Sequence, residues 1–416
     1  MRVGVIGCGF VFDLYMATWK SHANLTLAGV WDIDPARRAA VAKHYEARVY
    51  DDQAALLGDP DIDIVANFTT LEVHAEVTRA ALNAGKHVYS EKPLTAEISE
   101  AKDLFDLAAQ KGLRLSVAPS NTLSSSVRTL EAAIDEGLIG SPQLVYAEFD
   151  DGPIHLMRPE DWMSPSGAPW PMMEEYTTGC TREHAGYHLT WMCALFGPVT
   201  SIVAASHVVT PQKTAPPLET PDLSVACLQF SSGVVGRLTC SIAGPRSHAA
   251  QVVGERGILT LPTYKDYTAP VLFNQLDWHR LSIRASRFGG SRLLRWLLGA
   301  EDQIVPPVDG AGRQSDADGR MDMVAGLAEL AEAITNDRAH FPPPDFALHV
   351  TELTLLIQAS GPAGIAKAPE TSFAPLTSAV RPAGGTKIDL RPLQQPSLRR
   401  RLAERLRKFK PKRRFS

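Results

Sequence analysis

The first 120 residues alternate between two periodicities, and this alternation restricts the fold more than any other feature of the chain. Short apolar, β-branched runs stand at 2–7, 25–32, 62–68, 86–91 and 113–118. Such near-continuous runs suit strands covered on both faces, hence a parallel sheet. Helical patterns lie between them. "DPARRAAVAKHYE" offers Asp34 as N-cap and Pro35 at the first helical position. Two further helical stretches end at Gly85 and Gly112, the residue type favoured just past a helix C-terminus. Strand–helix–strand repetition of this length predicts an α/β, doubly wound Rossmann-type sheet.

Beyond about residue 120 the period becomes two. In "VVGRLTCSI", Val234, Gly236, Leu238, Cys240 and Ile242 share one face, the mark of a half-solvated antiparallel sheet. Helices are expected in 321–337 and 345–360, and 262–320 reads as an irregular insertion. At 416 residues the chain exceeds one ordinary core. The expected division is a dinucleotide domain at 1–120, a substrate and oligomerisation domain at 121–360, and a Pro-rich basic tail at 361–416. The last twenty residues carry ten Arg and Lys against one Glu, which leaves −13 on the rest of a chain of net charge −4. So acidic a body is no nucleic-acid binder. The tail is either a solvated segment or a weak contact for anionic membrane lipid, since Leu398, Leu402, Leu406 and Phe409 interleave its charges. Five scattered cysteines, none in a C-x-x-C pair, and an N-terminus without export features fit a reducing cytoplasm.

Gly7 and Gly9 lie between the first strand and the first helix. Gly7 permits a tight turn, and Gly9 lets a pyrophosphate approach the backbone at a helix N-terminus. Phe12 stands at the third position of G-x-G-x-x-G and implies wider strand–helix packing. Asp32 ends the second strand. An acid there accepts hydrogen bonds from ribose hydroxyls and repels a 2′-phosphate, so NAD is expected over NADP; the alternative is a turn cap with Asp34. The candidate cofactor-binding residues are Gly7, Gly9, Phe10, Val11, Asp32, Thr69, Thr70, His74, Glu91 and Lys92. For His74 a structural role weighs as much as a ligand role.

"YSEKPL" (89–94) closes the fourth strand, so Lys92 is expected at the carboxyl edge of the sheet, where ligands bind. Pro93 stops the strand, a cis Lys92–Pro93 bond would turn the lysine into the cleft, and Glu91 holds the turn. The G-x-G turn, "AGKHVYSEKPL" and "EGLIGSP" (136–142) together resemble the Gfo/Idh/MocA family of glucose–fructose oxidoreductase, inositol dehydrogenase and their relatives, over roughly residues 1–360. The resemblance implies a Rossmann domain followed by an α/β domain with a large, open, mostly antiparallel sheet. It implies NAD(P)-dependent hydride transfer at a carbinol carbon of a sugar, cyclitol or sugar nucleotide, with Lys92 on the reacting hydroxyl. It also implies a homo-oligomer, dimer or tetramer.

The family's D-x-G-x-H stretch matches "HAGYH", so His188 falls on the family's acid/base and His184 on its acidic position. Residues four apart share a helical face, so both imidazoles are expected to face the cleft, and either could take the proton. No H-E-x-x-H pattern or third ligand accompanies them, so no metal is expected. The family's Trp-Arg pair is Trp170-Pro171 here; Trp170 and Tyr176 are candidates to stack on substrate, or plain packing residues. Two alternatives stand beside a dehydrogenase or reductase: a NAD-dependent glycoside hydrolase of the same family, and a non-catalytic NAD(H)-binding regulatory protein.

Overall fold

The computed structural model describes residues 1–275, 302–308, 321–376, 388–390 and 393; the basic tail at 397–416 lies outside them. Five strands form the first sheet: β1 (Arg2–Ile6), β2 (Thr26–Trp31), β3 (Ile64–Asn67), β4 (His87–Ser90) and β5 (Leu115–Val117). Their order is β2-β1-β3-β4-β5 and every pairing is parallel. The helices alternating with them are α1 (Phe10–Trp19), α2 (Pro35–Tyr45), α3 (Gln53–Gly58), α4 (Leu71–Asn83) and α5 (Ile98–Gln110). Asp34 caps α2 by accepting from Ala36 N at 2.8 Å. Gly85 and Gly112 take positive φ after α4 and α5, as expected. In register, Ile6 lies beside Trp31 and Asn67, and Asn67 beside Ser90. The residues that follow these four therefore gather along one carboxyl edge.

After α6 (Ser125–Asp135) the described residues build a nine-stranded sheet. Its strands are β6 (Pro142–Asp150), β7 (Val199–His207), β8 (Leu223–Phe230), β9 (Val235–Ser241), β10 (Ala250–Gly254), β11 (Gly257–Leu261), β12 (Leu272–Gln275), β13 (Gln303–Ile304) and β14 (Ile365–Lys367). All pairings are antiparallel except β6 with β9, which runs parallel from Leu144↔Val235 to Asp150↔Ser241. The expected β9 face is buried at Val234, Leu238, Cys240 and Ile242. Against that face pack α8 (Cys180–Phe196), which follows the short α7 (Met172–Thr178), and α10 (Pro344–Gln358). The opposite face leaves Val203 and Val225 exposed. The irregular insertion expected at 262–320 is corrected in part: β12 and β13 extend the sheet from β11, with Val271, Phe273 and Val305 buried beneath. Strands this short borrow their stability from a preformed neighbour.

A late segment closes the first unit. Helix α9 (Ala325–Thr335) sets Leu327 and Leu330 among Val3, Val5, Phe12 and Tyr89. His22 meets Asp322 at 2.9 Å, and Asn24 donates to Ala328 O. The two sheets thus share a wall, and a cleft opens between the carboxyl edge of one and the helix-covered side of the other.

Candidate active site

Gly7 turns the chain at the edge of β1 with φ +99°. A Cβ there would stand 2.5 Å from the Phe68 carbonyl, so no other residue fits without moving the backbone. Gly9 is the N-cap of α1, with no side-chain cap, and a Cβ there would meet nothing within 4 Å. The helix therefore presents uncapped N–H groups to open space, the arrangement that receives a phosphate. Asp32 accepts from Cys8 N at 2.6 Å and Asp34 N at 2.8 Å, so it caps its own turn and pins the glycine turn at once. Each carboxylate oxygen keeps acceptor capacity towards the cleft, which Asp32 lines. These features fit a dinucleotide.

The cleft has a volume of about 1080 Å³. Gly7, Gly9, Phe10, Val11, Asp32, Thr69, Thr70, His74, Glu91, Lys92 and His184 all line it; His188 does not. Thr69 donates its hydroxyl to Asn67 Oδ1 at 2.6 Å, and Thr70 is the N-cap of α4. His74 is buried, with Nδ1 2.9 Å from Pro93 O and Nε2 3.0 Å from Thr69 O. Burial lowers its pKa, against the pull of the two carbonyls. It joins the Thr69 and Pro93 loops, so its polar atoms serve the scaffold. Glu91 accepts from Tyr15 Oη at 2.6 Å and from Lys92 N at 3.0 Å, holding the turn. The Lys92–Pro93 bond is cis.

Lys92 Nζ donates to Glu183 Oε2 at 2.5 Å and lies 5.8 Å from the centre of the Tyr187 ring. Burial alone would lower the lysine; Glu183, with Tyr187, Glu91 and Glu175 behind it, holds it well above its ordinary value. Burial pushes the Glu183 carboxyl up, Lys92 pulls it back, and Glu175 adds a further push. Lys92 is an ammonium at any working pH.

The two histidines of α8 part company. His184 stacks on Phe149 with ring centres 4.0 Å apart. Its Nε2 sits 2.8 Å from Glu175 Oε1 and 3.6 Å from Asp151 Oδ2. Asp151 in turn accepts from His248 at 2.7 Å and Lys265 at 2.5 Å. Burial would raise Asp151, but His248, His184 and Lys265 pull it far below the carboxylate range. Glu174 at the same wall is pushed up to about 7 by burial, with Glu183 and Glu72 adding to the shift. His188, by contrast, has no exposed surface. It donates from Nε2 to Glu148 O and accepts Trp191 Nε1–H at Nδ1, each at 3.0 Å, and burial lowers it to about 4. The expectation that both imidazoles face the cleft is therefore corrected. A neutral, doubly engaged His188 has no nitrogen left for substrate.

Sequence reasoning missed Glu183, Glu175, Asp151, Tyr187, His248 and Lys265. Only Glu183 had a local signal, as the acid next to His184. Trp170 lines the cleft, whereas Tyr176 is buried against it from behind.

Residues 1–119 match the model of the oxidoreductase family with an NAD-binding Rossmann fold, and residues 127–260 match the GFO/IDH/MocA C-terminal domain. The chain is 26% identical to an inositol 2-dehydrogenase/D-chiro-inositol 3-dehydrogenase of Lactiplantibacillus plantarum, over 63% of this chain and 71% of that one. It is 26% identical to a trans-1,2-dihydrobenzene-1,2-diol dehydrogenase of Bos taurus, over 63% and 72%. In fold it resembles the WlbA dehydrogenase of Bordetella pertussis, solved with NADH and UDP-GlcNAcA: TM-score 0.65 and 19% identity, over 88% and 97% of the two chains.

Proposed function

The chain belongs to the Gfo/Idh/MocA family of NAD-binding oxidoreductases, and from that premise we propose that it transfers hydride between NAD and a carbinol carbon of a sugar, cyclitol or sugar nucleotide. One observation carries the reading: the Lys92 ammonium and the His184 imidazole, from different sheets' elements, line the same cleft as the glycine turn. An ammonium has three donors. One is committed to Glu183, which leaves two for a substrate hydroxyl and the negative charge that grows on it. His184, with Glu175 beside it, takes the hydroxyl proton during oxidation and returns it during reduction. His188 packs behind and does neither.

The dinucleotide supplies the hydride acceptor; the chain holds it. The open N-terminus of α1 receives the pyrophosphate, and Asp32 receives the ribose diol. Ile33, 84% exposed beside Asp32, offers the adenine an apolar surface. The Asp32 charge opposes a 2′-phosphate and favours NAD. The outward face of the nine-stranded sheet, which leaves Val203, Val225 and Val235 exposed, suits association with a second copy of the chain. The test is a panel of cyclitols, free sugars and nucleotide sugars, run with NAD and with NADP and read by NADH absorbance. One polyol class should give NADH with a preference for NAD. Cofactor binding without turnover of any polyol or its ketone in either direction would leave only a binding protein.

A further inference from the structure

Residues 162–170 leave the second unit and return to it as a tight loop. Trp170 N donates to Trp162 O and Ser164 N to Ala168 O, each at 2.8 Å. The tip, Ser164 to Ser166, reaches across to the first unit. There it meets Asp13, one turn along α1 from Gly9. Asp13 is 2% exposed, and a single carboxylate oxygen accepts the Ser166 hydroxyl at 2.6 Å, Ser166 N at 3.3 Å and the Ser164 hydroxyl. Its other oxygen accepts Tyr45 Oη. Arg37 of α2 grips the tip from the far side. Its Nη2 donates to Ser166 Oγ at 2.7 Å and its Nη1 to Ser166 O at 3.2 Å. The same guanidinium donates to Cys8 O, inside the glycine turn, at 2.9 and 3.0 Å.

The loop also lines the cleft, through Trp162, Pro165 and Trp170, together with Gly9 and Phe10. On the reading that this cleft holds a dinucleotide, we infer that residues 162–170 are a clasp over the cofactor, with Asp13 and Arg37 as its latch. The second unit thereby completes the dinucleotide site, and release of the cofactor waits on opening of the latch. A buried carboxylate stripped of its donors carries a large penalty. The loop tip supplies three of them, so opening breaks three hydrogen bonds to this acceptor at once, together with the two that Arg37 donates to Ser166. Asp13 and Ser166 act through the loop and are positioning residues.

The experiment is stopped-flow displacement of NADH from the full chain by excess NAD, read by energy transfer from tryptophan to NADH. The Ser164→Ala/Ser166→Ala variant leaves Asp13 and Tyr45 in place; Asp13→Asn is the second variant. Both should raise the NADH dissociation rate about tenfold or more, with association changed far less; the melting temperature of the serine variant falls modestly, since buried Asp13 loses two donors. A purely structural role would slow association instead. An unchanged dissociation rate in the serine variant, with NADH still bound, overturns the clasp and leaves the cofactor reading intact. Failure of the wild-type chain to bind NADH overturns the cofactor reading itself, and the clasp with it.

Discussion

The glycine turn and the α7–α8 wall face each other across one cleft and are built by opposite means. The turn is made of backbone: a positive φ at Gly7, uncapped N–H groups at the start of α1, and four strand ends in register. Its chemistry is fixed once the sheet forms. The wall is made of side chains that hold one another in place: Lys92 by Glu183, and His184 by Glu175 and Asp151. Asp151 depends in turn on His248 and Lys265. A backbone site tolerates side-chain change and binds; a charge network does not tolerate it, and reacts.

Substitutions should separate the two sides. The largest effect is expected for Lys92→Ala, with turnover lowered about 10³-fold. NADH affinity, by fluorescence titration, should stay within about threefold because the glycine turn and Asp32 are untouched. Parallel loss of binding would mean the two sides are not separable. Next comes His184→Ala, lowered about 10²-fold or more. His188→Gln should cost far less turnover; if their order reversed in steady-state assays, the assignment of His184 would fall. On the backbone side, Asp32→Ala should leave kcat nearly unchanged and shift the ratio of kcat/KM between NAD and NADP about tenfold towards NADP, through loss of repulsion.

The last effect is on stability rather than turnover. His188 and His340 are both lowered by burial to about 4. A histidine whose folded pKa lies below its unfolded value stabilises the fold above the unfolded pKa, near 6.5, and that stability is lost as pH falls towards 4. For buried His188 the span amounts to about 3 kcal/mol. Asp150 and Glu174, raised by burial to about 6 and about 7, act in the opposite sense. The measure is therefore a difference: the melting temperature of wild type should fall more between pH 6.5 and 4 than that of His188→Gln. Equal slopes would show that His188 is not buried neutral.

What could be read in advance follows the same division. Gly7, Asp32 and Lys92 were legible because each stands at the end of an apolar run, and strand ends in a parallel sheet share an edge. The helix that carries His184 and His188 was legible as a helix but not by face. Nearly all of α8 is buried, so spacing by four no longer separates a core side from a cleft side. The short β12 and β13 were missed because their pairing comes from β11, not from their own propensity.

Local residue order by itself determined a parallel sheet, a glycine turn at its edge and a lysine delivered to the same edge. Only tertiary structure decided which histidine meets the cleft, that Glu183 pairs with a lysine 91 residues away, and that Asp13 holds a loop 153 residues away. The reason is physical. Backbone geometry is set by neighbours along the chain, whereas the charge and reach of a buried side chain are set by whatever the fold brings against it.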